Sequence, residues 1–363
     1  MCVRFIFPQW SLEGKNFWLL KLSPLSLNKI YHIKTVVANI FLLVISGILI
    51  FVWGIIKIIT FPPLVSPAKL VEIPENATAY QIAEILYKNR VIKKISWFLY
   101  ITNKMKVQNK LKSGIYEFSG RIPLKKVIEK LVKGEVKLVK VTIPEGTNII
   151  EIGEILKKKG IIKNKDEFIS YAKEKKLEGF LFPDTYLFPL NSSVESVSRY
   201  MQERFNETWE ELTGEKITDE NYKKVKKIVT VASIVEKEAI FSDEKRIIAG
   251  IIYKRLKKGL PIQSCATVEY ALGYHKSRLT EKDLKINSPY NTYLYRGLPP
   301  TPICNPGKAS LKASLNPRKT EYLYFLSKGN GRNHFSKTYK EHLRAKKTYF
   351  QMNGSVKKNT EKQ

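Results

Sequence analysis

Hydrophobic positions fall along this chain in three textures. The first is uninterrupted: Val36 to Ile59, VVANIFLLVISGILIFVWGIIKII, carries one charge, Lys57, near its end. At about 1.5 Å rise per residue these roughly two dozen residues reach about 36 Å, more than the ~30 Å hydrocarbon core of a bilayer. The run therefore predicts a membrane-spanning helix over 36–60. No small-residue cleavage site follows it, so an uncleaved signal anchor is expected. Phe61-Pro62-Pro63 through Pro67 reads as a short extended linker, 61–68.

The second texture is a repeat at an offset of about 70 residues. Val71-Glu72-Ile73-Pro74-Glu75-Asn76-Ala77-Thr78 is matched by Val141-Thr142-Ile143-Pro144-Glu145-Gly146-Thr147-Asn148. Ile82-Ala83-Glu84-Ile85-Leu86 is likewise matched by Ile152-Gly153-Glu154-Ile155-Leu156, and a second helix start near Ser96 by one near Asp166. Each copy reads strand, turn, helix, loop, helix. Between them Gly114 to Phe118 predicts a strand, and Pro123 opens a helix that stops near Gly134. The copies bring together no acid–base or nucleophile set. Residues 69–175 are expected to form a small α+β binding module.

The third texture begins at Glu178, where Glu178-Gly179-Phe180-Leu181-Phe182-Pro183-Asp184-Thr185-Tyr186-Leu187-Phe188-Pro189 sets aromatics beside two prolines and two acids. Such a stretch suits either stacking on sugar rings, with Asp184 holding a hydroxyl, or a core-forming loop. Helices follow over Val194–Leu212, Asn221–Phe241 and about Asp243–Lys258. In the second of these, at about 100° per residue, Val225, Ile228, Val229, Ala232, Val235 and Ala239 share one apolar stripe. Glu236 lies inside the stripe, whereas Glu238 lies on the lysine-bearing flank. An acid among apolar neighbours loses hydration, which disfavours its charged form and suits a general acid working near neutral pH. Glu236 is the candidate acid. The last hundred residues are loop-rich, with Asn287–Tyr293 and Gly297–Ile303, a short helix at Ser310–Leu315, a strand at Glu321–Leu326 and a final helix after Phe335. Loops stocked with Asn, Thr, Tyr and Pro suit a polar groove. The tail over 353–363 is polar and expected to be loose.

Composition narrows the setting. The 363 residues are 44% hydrophobic and 26% charged, a globular balance, but the net charge is +30. That charge suits an anionic membrane surface, an acidic polymer or nucleic acid. The basic residues Arg4, Lys15, Lys21, Lys29 and Lys34 before the span predict that residues 1–35 stay in the cytoplasm and that everything after the span lies outside. Nucleic acid is not the usual polymer there, whereas cell-wall polymers are. Three cysteines and four scattered histidines offer no disulfide framework and no metal-ligand spacing, so no metal or cofactor is expected.

Four motifs in chain order, Glu178-Gly179-Phe180-Leu181-Phe182-Pro183-Asp184-Thr185-Tyr186, Ala232-Ser233-Ile234-Val235-Glu236-Lys237-Glu238, Tyr290-Asn291-Thr292-Tyr293 and Gly297-Leu298-Pro299-Pro300, resemble the YceG-like family of membrane-anchored endolytic murein transglycosylases. The resemblance covers about Lys69 to Tyr349. It implies an α+β protein with one N-terminal transmembrane helix, a LysM-like peptidoglycan-binding part in the second repeat copy, and a mixed α+β catalytic domain, 176–352, whose central helix carries one catalytic glutamate. The matching position is Glu236. Glu238, Asp184, Tyr186, Gln263, Tyr290, Asn291, Thr292 and Tyr293 are the expected substrate contacts. The chain departs from the family pattern at Cys265-Ala266, where an acidic residue and a proline are usual, and at His342-Leu343, where a His-Asn pair is usual.

The resemblance implies non-hydrolytic cleavage of peptidoglycan glycan strands in wall synthesis and remodelling, with wall synthases and division proteins as partners and no nucleic acid. Glu238 does not pair with Glu236, because residues two apart on a helix do not face each other. The alternatives are a non-catalytic wall-binding or division scaffold, a nucleic-acid binder held on the cytoplasmic side, and an ordinary hydrolase.

Overall fold

In a computed structural model, residues 26–60, 62–276 and 279–360 are described; most of the basic segment before the span lies outside this set. The uninterrupted apolar run is the core of one helix, α1 (Leu27–Thr60), which starts earlier than the run itself. Its stretch Tyr31–Ile56, with mean hydropathy 2.7 and no part buried by the chain, is long and apolar enough to cross a membrane.

The chain divides into two compact units, residues 1–135 and 136–363. In the first unit β1 (Leu64–Ile73) leads to α2 (Ala79–Lys88) and α3 (Ile95–Lys104), then to β2 (Gly114–Arg121) and α4 (Leu124–Lys133). β1 pairs antiparallel with β2, Val71 opposite Tyr116. The stretch expected as a linker is therefore strand from Leu64 onward, and Leu64 faces Arg121. Thr78 and Gln81 form a capping box that starts α2, and Gly134 ends α4 in the left-handed conformation a side chain resists.

The second unit opens on the other repeat copy: β3 (Leu138–Thr142), α5 (Ile149–Lys158), α6 (Lys165–Glu174) and β4 (Thr185–Pro189). β3 pairs antiparallel with β4, Val141 opposite Tyr186, the same register that sets Val71 opposite Tyr116. Each copy is thus strand–helix–helix–strand. The periodic isoleucines, leucines and phenylalanines meet inside: Ile82, Leu86 and Phe98 are buried in the first copy, and Ile152, Leu156 and Phe168 in the second. The expected boundary between a repeat module and a second domain after residue 175 is not where the contacts part, because β4 closes the second copy within the same unit as everything after it.

α7 (Val194–Thr213), α8 (Asp219–Glu238) and α9 (Ser242–Lys257) follow as the periodicity predicts. α8 carries more than one apolar stripe. Val225, Val229 and Ala232 pack with Phe180, Phe182, Phe205 and Trp209, while Val231, Ile234 and Val235 pack with Ile248, Ile252, Ile262 and Ile303. Buried on both sides, it is the central helix of the unit. α10 (Cys265–Leu272) and α11 (Lys308–Leu315) frame the loops between them. β5 (Tyr324–Ser327) pairs with β6 (Asn333–Ser336) in a hairpin, where the sequence suggested one strand and an approach to the last helix. That helix, α12 (Tyr339–Thr360), runs through most of the tail expected to be loose.

Candidate active site

Glu236 stands one residue past the doubly buried stretch of α8, and its side chain keeps only 9% exposure. The sequence set it among apolar neighbours alone; the structure adds two polar partners. Lys245 Nζ, itself buried on the first turns of α9, donates to Oε1 at 2.9 Å, and the Gly307 N–H donates to Oε2 at 3.0 Å. Lys245 reaches it because the short Ala239–Phe241 connection folds α9 back against α8. A third group comes from the β3–α5 turn. The Glu145 carboxylate lies against Gly307, where a Cβ would come within 1.9 Å of its Oε1. Desolvation of that packed face, then the charge of Glu236, push the Glu145 carboxyl up, while Lys245 pulls it down.

Asn305 ties this turn to the rest. Fully buried, its Oδ1 accepts from the Gly179 and Leu181 N–H groups at 2.9 Å each, and its Nδ2 donates to the Thr147 carbonyl. Its main chain completes the tie, with Asn305 N–H to the Thr147 carbonyl and Gly146 N–H to the Asn305 carbonyl. Gly179 must be glycine: its φ is +89° and a Cβ there would meet Pro302 Cγ at 2.4 Å. Beside these residues a cleft of about 770 Å³ is lined by Lys237, the residue after Glu236, and by Glu178, Tyr270, Tyr290, Thr301 and Ile303, among others. Glu178 is buried and receives bonds from Tyr270 Oη, Ile149 N–H and Asn305 Nδ2, yet burial dominates and pushes its carboxyl up to about 8.

The expected substrate contacts divide. Tyr290 lines the cleft, its ring 4.8 Å from Tyr270 and its hydroxyl bonded to Thr301. The others are occupied elsewhere. Asn291 is fully buried, giving both Nδ2 hydrogens to the Leu284 and Ile286 carbonyls and accepting from Tyr293 N–H, so it shapes its own loop. Thr292 is buried and bonds Thr267 and the Ser264 N–H. Tyr186 is buried on β4 and donates its hydroxyl to the Phe182 carbonyl, and Phe180, Phe182 and Phe188 are buried with it. The aromatic stretch is core, not a sugar platform. Asp184 accepts from Arg204 at 3.0 Å and from the Thr185 N–H; against the push of burial these bonds hold its carboxyl below the usual range. Gln263 accepts from Arg255, and Tyr293 meets Cys265 Sγ through its hydroxyl. Glu238 turns to α10, accepting from Ser264 Oγ and from the Ala266 N–H at the start of that helix, where a carboxylate complements the exposed N–H groups. Burial pushes the Glu238 carboxyl up. Glu236 and Glu238 thus serve different neighbours, as their spacing requires.

Lys245, Glu145 and Asn305 escaped the sequence reading, and Glu178 entered it only as the first residue of a motif, with no role. For Glu145 the local signal was Pro144-Glu145-Gly146, and its counterpart Pro74-Glu75 made it read as turn-forming.

The profile described as the YceG-like family matches residues 71–348. The chain belongs to that family. An "Endolytic murein transglycosylase" of Bacillus subtilis (strain 168) is 38% identical over 305 residues, covering 77% of this chain and 84% of that one. A protein of the same description from Streptococcus pneumoniae (strain D39) is 28% identical over 302 residues, 71% of this chain, which spans about half (54%) of that longer protein. A crystal structure of a putative YceG-like protein from Listeria monocytogenes aligns at 33% identity with a TM-score of 0.49, over 76% of this chain and 98% of that one. A second profile, described as a putative ATP-binding cassette, matches residues 1–65, a segment without the glycine–lysine loop that cradles nucleotide phosphates.

Proposed function

We propose that this YceG-like chain is a membrane-anchored lytic transglycosylase that cuts the β-1,4 bond between N-acetylmuramic acid and N-acetylglucosamine within peptidoglycan strands and leaves 1,6-anhydro ends. The observation that carries the reading is the setting of Glu236: one carboxylate, 9% exposed, fixed by an ammonium and a backbone N–H, with the next residue, Lys237, on the wall of a cleft. The B. subtilis relative's description supports the reaction class.

Protonated Glu236 gives its proton to the glycosidic oxygen as the bond to the muramic acid anomeric carbon breaks and positive charge builds there. The C6 hydroxyl of the same sugar closes on that carbon and returns its proton to Glu236. No water enters, and one carboxylate serves as acid and then base, where most glycoside hydrolases use a flanking pair. Lys245 and the Gly307 N–H face Glu236 during the interval in which it carries charge, and such charge-assisted bonds are the strong ones. Tyr290, on the cleft wall, is the substrate contact retained from the expected set.

The second repeat copy serves as the LysM-like glycan-gripping part; its turn, which reaches the wall of the Glu236 site, supports this. α1 is the anchor, with the catalytic unit outside the cell, where wall synthases and division proteins would meet it.

The test is mass spectrometry of peptidoglycan digested by the protein, beside Glu236→Gln. Anhydro-muramyl ends from the wild type are expected to fall by roughly 10²–10⁴-fold in the variant, the usual contribution of general acid–base catalysis. Reducing muramic ends would keep the enzyme and overturn the transglycosylase mechanism, with Glu145 then available as a base for water. Binding without any cleavage would leave the scaffold reading.

A further inference from the structure

The cycle above returns the proton that it uses, but it has to begin with a proton in the site, and an ammonium lies 2.9 Å from the acid. The charged groups around Glu236 therefore govern the pH range over which the site is loaded. From α9 comes Lys245, from α8 the neighbouring Lys237, and from the β3–α5 turn Glu145; the loop before α11 adds the Gly307 N–H and the buried Cys304 thiol, which burial, and to a lesser extent the charge of Glu236, push up. Both carboxylates converge on that one glycine. Glu236 takes its N–H at 3.0 Å, and Glu145 packs so tightly on its Cα that a Cβ would lie 1.9 Å and 2.5 Å from the two carboxylate oxygens.

The turn that presents Glu145 is held against the acid itself. A Cβ on Gly146 would touch Glu236 Cγ at 3.5 Å and Lys237 Cδ at 3.7 Å, so this backbone lies along the stem of the acid. The paired main-chain bonds between Gly146–Thr147 and Asn305 keep it there. Among the described residues, none donates a hydrogen bond to the Glu145 carboxylate, so its chain-folding role is small. The other repeat copy sharpens the contrast: it has the same Pro-Glu pair, followed by Asn76 in place of Gly146, both in left-handed backbone (φ 59° and 78°). The turn type is general to the repeat; the docking of its carboxylate against an acid and an ammonium belongs to the second copy.

We propose that Glu145 is a positioning residue of the reaction, which sets a second negative charge against the Glu236–Lys245 pair across Gly307 and so keeps a proton in the site to higher pH. This rests on the reading of Glu236 as the acid. A neighbouring carboxylate offsets the Lys245 ammonium, so that Glu145, Glu236 and Lys245 together are neutral with one proton and carry a net negative charge without it, while Lys237 adds the same charge to both states. Like charges within about 4–6 Å typically move a titration by a unit or more.

The experiment is the pH profile of kcat/KM for anhydro-end formation, measured from pH 4.5 to 9 on soluble, un-cross-linked glycan strands with the full chain. Glu145→Gln is expected to move the alkaline limb about one pH unit to lower pH, so that the ratio of rates at pH 8 and pH 5.5 falls by roughly tenfold. Glu145→Asp, with its charge one methylene further back, is expected to shift less; it also supplies the readout if the Gln variant melts early. Profiles of both variants that superimpose on the wild type after scaling would overturn the proposal, since a purely structural loss lowers the rate equally at every pH. A wild type without anhydro products at any pH would instead sink the transglycosylase reading.

Discussion

A carboxyl held neutral in the interior is a pH-dependent liability, and Glu178 is one. It is raised to about 8 by burial, which outweighs the three donors that face it. Unfolded, the same carboxyl titrates near 4.5. The folded state therefore binds the proton more tightly: Glu178 contributes its full stability below about pH 4.5 and loses it progressively as pH rises to about 8. Each unit in that window costs about 1.4 kcal/mol. Glu178→Gln has no proton to lose, so the Tm of the wild type is expected to fall by several degrees relative to this variant between pH 5 and pH 8. Melting curves that stay parallel across that range would show that Glu178 titrates normally. At this scale the sequence was legible only where one helix carries all the information. Helical spacing alone marked Glu236, because its apolar neighbours lie on its own helix. Lys245, Glu145 and Asn305 reach the site from separate segments, and no periodicity links Asn305 to Thr147 or Gly179.

Elements were more legible than sites, since amphipathic period is written locally. The repeat gave four helices in register, and α8 was found nearly to its ends. What was missed is pairing. β4 was read only as part of an aromatic stretch, either a sugar-stacking surface or a core-forming loop, because its partner, β3, lies more than forty residues earlier; once Val141 is opposite Tyr186, alternation sends Tyr186 and Phe188 inward and Leu187 outward. Likewise Asn291 and Thr292 resemble groove residues by type, but short loops must satisfy their own buried carbonyls and N–H groups, and these side chains do so. The reassignment of Tyr186 has a consequence. Tyr186→Ala empties a core site among Ile152, Leu181 and Phe188 and is expected to cost about 3–5 kcal/mol, the usual range for removing a large buried aromatic. In a unit of this size that is about 2–4 °C of Tm per kcal/mol. Tyr186→Phe loses only the hydroxyl bond to Phe182, about 1 kcal/mol. An alanine variant that melts like the wild type but no longer binds glycan strands would restore Tyr186 to the groove.

For the whole molecule the question is which side of the membrane it works on, and the +30 charge fits either side. α1 supplies the constraint. Its apolar stretch of 26 residues spans about 39 Å at 1.5 Å per residue, more than the ~30 Å core, so it can cross with some tilt. Lysines and arginines near the N-terminal side of a span bias that side to the cytoplasm, while a long following domain is translocated whatever its charge. Lys29 and Lys34 on α1, with the basic residues before it, therefore predict that the catalytic unit faces outward, where an anionic wall polymer would attract a basic protein. A C-terminal fusion to a phosphatase that folds only outside the cytoplasm is expected to be active, and a C-terminal fluorescent protein that matures only in the cytoplasm to be dark. Replacing Arg4, Lys15, Lys21, Lys29 and Lys34 by glutamine should weaken this orientation and yield a fraction with both signals reversed. The opposite result for the unaltered chain, a dark phosphatase and a bright fluorescent protein, would put Glu236 on the wrong side of the membrane for peptidoglycan and return the charge to nucleic acid as its partner.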